Sequence, residues 1–131
     1  MSNLEYTKNA LKHFKNPKFI GKIENADAVG QVGNPSCGDT MRVYLKIGEK
    51  KNKEKYIRDI KFQTMGCVAA ISSSDVVCKL AKGKTLKEAL KINKNDILRE
   101  LGGLPNIKYH CSLLGEEALL KAIENFEKKK L

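Results

Sequence analysis

From Asp39 to Gly48 apolar and polar residues alternate: Met41, Val43, Leu45 and Ile47 fall on one side, and Thr40, Arg42, Tyr44 and Lys46 on the other. A period of two over this length predicts a half-buried β-strand. A polar loop follows from Glu49 to about Lys53. A second run, Tyr56 to Thr64, then places Ile60 and Phe62 inward, so the pair reads as an antiparallel hairpin. Directly after Met65-Gly66-Cys67 the pattern changes to a helical one. Val68 to Lys82 reads as a helix stopped by Gly83, with Ala70, Ile71, Ser74, Val77, Cys78 and Ala81 on its inner face.

The remaining elements extend this plan. Leu4, Thr7, Leu11 and Phe14 lie three and four apart, which predicts a short helix over Tyr6 to Phe14. It stops at Asn16-Pro17, because the residue before a proline avoids the helical region. Phe19-Ile20-Gly21 is a connector, packed by its apolar pair, and Ala28 to Gly33 reads as an edge strand. Thr85-Leu86-Lys87-Glu88 matches a capping box and starts another short helix. Asn93 or Asn95 caps a third, through Ile97, Leu98 and Leu101, broken by Gly102-Gly103-Leu104-Pro105. The last helix begins near His110 and runs to about Lys129. Three, seven, eleven and fifteen residues after Cys111 come Leu114, Ala118, Ala122 and Phe126, so Cys111 lies on the apolar stripe. Helix, three strands, then helices is the order of an α+β domain: a small antiparallel three-stranded sheet with helices packed on one face and a long C-terminal helix. With 131 residues, 1–131 reads as a single domain. Ser72-Ser73-Ser74 is unusual inside a helix and reads as small residues that permit close packing.

The formal net charge is +10, which raises the question of nucleic acid. Only three of the 25 basic residues are Arg, the usual reader of base edges. The lysines are scattered, and no aromatic residues are interleaved as stacking platforms. A solvated lysine-rich surface, able to attract an acidic protein partner, is the better reading, and no nucleic acid is expected. No long apolar run predicts a membrane span. Met1 to Tyr6 shows no charged segment leading into an apolar one, so a cytoplasmic location is expected. There thiols stay reduced, and four cysteines point to ligands or nucleophiles rather than disulfides.

Three of those cysteines stand at joins between elements. In Gly33-Asn34-Pro35-Ser36-Cys37-Gly38-Asp39 a thiol and a carboxylate sit two residues apart, on one side of an extended segment. Cys67 sits at the start of the long internal helix, where the helix dipole favours a thiolate. Cys111 follows His110 at the start of the last helix. For Cys37 the competing reading is an ordinary surface turn, and for Cys67 a small residue at a tight strand-to-helix join. Cys78, eleven residues beyond Cys67, would lie roughly 16 Å along the helix axis and reads as core. No C-x-x-C pair occurs, so zinc-ribbon, thioredoxin and ferredoxin spacings are absent. A Cys-His-Asp nucleophilic triad is conceivable, but His110 and Cys111 diverge on a helix and nothing else suggests acyl transfer.

Asn34-Pro35-Ser36-Cys37-Gly38-Asp39, Thr64-Met65-Gly66-Cys67 with the small residues after it, and His110-Cys111-Ser112-Leu113-Leu114 together resemble the IscU-type iron–sulfur cluster assembly scaffold, also the N-terminal domain of NifU-like proteins. Tyr6, His13-Phe14-Lys15-Asn16-Pro17 and Gly21 are similar too. The resemblance implies a scaffold and carrier rather than a conventional enzyme. On it a [2Fe–2S] cluster is built from iron and from sulfur delivered by a cysteine desulfurase, then passed to apo-proteins. It implies Cys37, Asp39, Cys67, His110 and Cys111 as cluster and metal ligands, with Cys111 as persulfide acceptor, zinc as another occupant of the same residues, and a homodimer around a bridging cluster as one arrangement. The alternative is a structural zinc domain that transfers no cluster. Leu104-Pro105-Asn106-Ile107-Lys108 departs from the family's Leu-Pro-Pro-Val-Lys, which leaves dependence on an Hsp70-type chaperone open. The hairpin loop from Gly48 to Lys55 is longer and more basic than is usual in the family.

Overall fold

The structure, a computed structural model, describes residues 6–34, 39–104 and 113–129. Three strands, β1 (Ala28–Asn34), β2 (Asp39–Glu49) and β3 (Lys55–Thr64), form one antiparallel sheet in the order β1-β2-β3. The helices are α1 (Lys8–Lys15), α2 (Val68–Ala81), α3 (Leu86–Ala89), α4 (Lys94–Leu101) and α5 (Leu113–Lys129). The α+β expectation holds, with β1 as the predicted edge strand.

The alternation in β2 does what its period requires. Met41, Val43 and Leu45 are buried under the helices, and Ile47 is half-buried. On the outer face Arg42 donates to Gln31 through Nε (3.1 Å) and Nη2 (2.6 Å). Tyr44 belongs to that face yet is almost buried, and its hydroxyl donates to Gln63 Oε1 at 2.6 Å. The β2–β3 register slips between Lys46 and Ile47, where Lys46 faces Asp59 but Ile47 faces Ile57. Arg58 is the extra residue of this bulge. It lets Ile57 and Ile60, three apart, both point inward.

The outer edge of β3 is covered. Phe62 N–H donates to Phe19 at 2.9 Å, Gly21 N–H donates back to Phe62 at 2.8 Å, and Ile57 exchanges backbone bonds with Lys84 and Gly83. The connector at Phe19 to Gly21 is therefore held by its backbone. Phe19 packs on the core, but Ile20 is 48% exposed, contrary to the expected apolar pair.

Cap chemistry sets the helix limits. Thr7, expected on the apolar stripe of α1, is instead its N-cap and accepts from Ala10 N–H. Its hydroxyl also donates to the Leu101 carbonyl, tying α1 to the end of α4. Leu4 lies outside the described residues. Capping boxes at Thr85–Glu88 and Asn93–Asp96 start α3 and α4, and Gly102, at φ 74°, ends α4. The start of the last helix at His110 lies outside the described residues. From Leu113 onward the expected stripe is present, with Leu114, Ala118 and Ala122 buried and Phe126 half-buried.

Helix α2 is more enclosed than an amphipathic helix. Every residue from Ser72 to Cys78 is buried, because α1, α4, α5 and β3 all pack on it. Ser72 and Ser73 satisfy their hydroxyls on the Val68 and Ala70 carbonyls, at 2.7 and 3.3 Å. Asp75, 1% exposed, accepts from Lys18 N–H (2.9 Å), Phe19 N–H (3.0 Å) and His13 Nδ1 (2.6 Å). A buried carboxylate persists only with such partners. Here it anchors α1 and the following connector to the core.

Helix α5 lies directly on the edge strand. A Cβ on Gly30 would stand 2.2 Å from the Ala118 carbonyl oxygen and 2.3 Å from Ala122 N. Both are backbone atoms, so relief requires moving the helix. Asn125 Nδ2 also donates to the Val29 carbonyl at 2.7 Å, closing part of the open edge.

Three stability outcomes follow, read as shifts in denaturant midpoint. Gly30→Ala should cost about 3 kcal/mol, at the upper end of overpacking. Gly83→Ala, at φ 86° with nothing within 4 Å, should cost only about 1 kcal/mol. Asp75→Ala should cost about 3 kcal/mol, because buried N–H groups lose their acceptor.

Candidate metal and cluster centre

One end of the sheet collects the segments that carry the site residues. Asn34 and Asp39 face each other as the last pair of β1 and β2, so residues 35–38 connect two adjacent backbone positions there. Strand β3 ends at the same place. Met41 pairs with Thr64, Met65 N–H donates to the Thr40 carbonyl at 3.3 Å, and Thr64 Oγ1 donates to that carbonyl at 2.5 Å. Two residues on, Cys67 is the N-cap of α2, half-buried against the core, with φ −81° and ψ −178°. The Cys67 side chain makes no capping hydrogen bond to that terminus. The chain thus brings Asp39 and Cys67 to neighbouring strand ends, as expected from their positions at element joins.

Helix α5 starts toward the same end. A Cβ on Gly115 would stand 2.9 Å from Ser74 Oγ and 3.1 Å from Ser74 Cα. Ser74 Oγ in turn donates to Met41 Sδ at 3.3 Å. Met41, Ser74 and Gly115 therefore make one three-way junction between β2, α2 and α5. Asp39 lies two residues before it on β2, Cys67 seven before it on α2, and Cys111 four before it in sequence. Small residues at Ser74 and Gly115 allow this approach, the close packing expected of the serine run.

Of the predicted site residues, Cys67 is described with its side chain and Asp39 by its place in β2. Cys37, His110 and Cys111 lie outside the described residues. Among the described residues no three His, Cys, Asp or Glu side chains gather as a metal set. Cys78 is the buried core thiol expected of it. Burial pushes its pKa well above the usual thiol range, and the nearby Asp75 carboxylate adds to that. In the first turn of α5, Glu116 is held above the usual carboxyl range by burial and then by Glu117 and Asp96. Of Leu104-Pro105-Asn106-Ile107-Lys108, only Leu104 is described; it is 8% exposed.

Two residues escaped the sequence reading. Asp75 follows three serines inside a helix, and a charge there is a signal in itself, but its partners are 56 to 62 residues away. Met65 belongs to the Thr64-Met65-Gly66-Cys67 motif, and nothing in that motif indicates its exposure. It is 79% exposed. No helix among the described residues is long and apolar enough to cross a membrane.

The family described as "NifU-like N terminal domain" matches residues 5–131. The chain is 50% identical over 124 residues to the iron–sulfur cluster assembly scaffold protein IscU 1 of Archaeoglobus fulgidus, covering 95% of this chain and 78% of that protein. It is 42% identical over 124 residues to the scaffold protein IscU of Aquifex aeolicus, with 95% and 77% covered. Among solved structures it is similar to a candidate iron–sulfur cluster assembly scaffold for the SUF system from Fervidobacterium islandicum, with TM-score 0.70 and 26% identity over 90% of this chain and 96% of that one. An N-terminal NifU-like protein from Brucella abortus has the same fold at TM-score 0.70 and 24% identity, with 94% of each chain covered. With its three-stranded sheet, its helix-starting Cys67 and these relatives, the chain belongs to the NifU-like N-terminal domain family.

Proposed function

We propose that this protein is a scaffold on which a [2Fe–2S] cluster is assembled and from which it passes to apo-proteins, the whole chain 1–131 acting as one domain. The observation that carries the reading is the convergence at one sheet end of the Asn34–Asp39 pair, the Cys67 N-cap and the first turn of α5, in a chain whose relatives are named as such scaffolds. Cys37, Asp39, Cys67, His110 and Cys111 are the ligand set of this proposal. The cluster is cargo, so the site must let go of it. Durable iron–sulfur sites are usually held by cysteines alone, and a hard carboxylate grips soft iron–sulfide cargo less firmly than a fourth thiolate.

Sulfur enters by exchange. The Cys111 thiolate attacks the outer sulfur of a persulfide on a cysteine desulfurase. The sulfur–sulfur bond of the donor breaks, and the donor leaves as a thiolate. Reduction of that sulfane sulfur to sulfide takes two electrons from a thiol or ferredoxin-type reductant. The protein contributes placement and release and is not an enzyme in the conventional sense. Zinc is a competing occupant of the same donors. Zinc serving folding alone has less support, because the described residues already share one apolar core from sheet to helices.

Two outcomes test this reading. Asp39→Cys, which puts a fourth thiolate in place of the carboxylate, should slow cluster release to an apo-ferredoxin by about tenfold, followed by visible circular dichroism; that change in barrier is about 1.4 kcal/mol. Transfer at the parent rate would remove Asp39 from its role. Incubation with desulfurase and cysteine should add sulfur mass to the parent, and Cys111→Ser should lose it; retention in that variant would assign the acceptor elsewhere.

A further inference from the structure

The segment His13-Phe14-Lys15-Asn16-Pro17 has no part in the scaffold reading, yet it borders a cavity of about 270 Å³. Three pieces of chain meet there: the end of α1, the connector after it, and α2. Asp75 and Lys79 are the lining residues from α2. Asp75 stands eight residues beyond Cys67, roughly 12 Å along the helix axis. The cavity therefore lies apart from Cys67 and has its own chemistry.

Asp75, 1% exposed, is already engaged by the frame. Oδ1 accepts from the Lys18 and Phe19 N–H groups, and Oδ2 meets His13 Nδ1 at 2.6 Å. Little acceptor capacity is left for a cation in the cavity. The same contact fixes the imidazole, whose side chain is 17% exposed. Nε2 makes no hydrogen bond among the described residues. It is the ring atom left for a ligand, as acceptor from a P–OH or, in the charged ring, as donor.

Three lysines complete the lining, one from each piece of chain: Lys12, Lys18 and Lys79. Lys79 pairs with Glu100 at 2.9 Å, while Lys12 and Lys18 make no ion pair among the described residues. With Asp75 and Glu100 both counted, the surround keeps an excess of positive charge. Like charges gathered around one space repel, and an anion seated between them relieves that repulsion. An ammonium group meets phosphate as a point charge with three donors. The cavity is smaller than those that enclose drug-sized ligands, so the anion it fits is small.

We propose that this cavity binds the phosphate group of a small ligand, held by Lys12, Lys18 and the ring of His13. Free inorganic phosphate and a small phosphomonoester share that chemistry. The site is independent of the scaffold reading and needs no metal or cluster.

The probes are inorganic phosphate and methyl phosphate, titrated into the full chain by calorimetry at low ionic strength. One phosphate should bind per chain with a dissociation constant of about 1 mM or tighter, and more weakly as salt rises. The NMR signals of the His13 ring should move along the same curve. Lys12→Gln with Lys18→Gln should weaken binding at least about tenfold, through two lost charge-assisted contacts. Lys121→Gln with Lys128→Gln removes the same charge from exposed positions on α5 and should stay within about twofold of the parent. All four lysines are exposed, so neither double variant removes a buried group. Methyl phosphate binding as well as phosphate or better assigns the site to a phosphorylated small molecule; weaker binding assigns it to the free ion. Equal weakening by both double variants overturns the proposal, since it would show general attraction to a basic surface. So does a lack of saturation by about 10 mM phosphate, and so do His13 ring signals that stay still during the titration.

Discussion

The seating of α5 on the rest of the molecule is the constraint on which the structure depends. Two glycines make it possible. Gly30 lets the backbone of α5 rest on the backbone of β1, and Gly115 lets the first turn of α5 approach Ser74 of α2. A methyl group at Gly30 would lie closer to helix backbone atoms than non-bonded atoms tolerate. Because Ser74 also reaches Met41, the position of α5 is locked to both α2 and β2 near one end of the sheet. That lock directs three separate segments of the chain to one place.

Around it the frame ties down its buried polar groups. The enclosed helix α2 satisfies its serines by local hydrogen bonds and Asp75 by bonds from α1 and the connector after it, so burial of polar groups costs little. Asp75 and the Thr7 hydroxyl fix α1 to the core from two directions. The far end of the sheet and the covered edge of β3 leave the thiol end as the place where strand ends and a helix start meet.

Much of this was legible in the sequence, for reasons of period and cap chemistry. Alternation in β2 fixed which face is inward, and Thr85, Asn93, Gly83 and Gly102 marked helix limits through local rules that need no tertiary information. What escaped depends on distant partners. Thr7 looked like part of an apolar stripe until its hydroxyl found Leu101. Ile20 looked like a packed residue, but backbone pairing with Phe62 holds its segment and leaves it outside. The bulge at Arg58 cannot be read from β3 alone, because it is a relation between two strands. For the candidate site, motif order pointed to five residues. The structure adds the common end of the sheet for Asp39 and Cys67, while the side chains of Cys37, His110 and Cys111 fall outside the described residues.

The most direct measurement of the central claim is anaerobic assembly with ferrous iron, cysteine and a cysteine desulfurase, followed by addition of an apo-ferredoxin, with visible absorption and circular dichroism recorded through both steps. The account predicts a [2Fe–2S] signal that forms on this protein and then moves to the ferredoxin. A protein that stays colourless throughout while holding zinc tightly would contradict it.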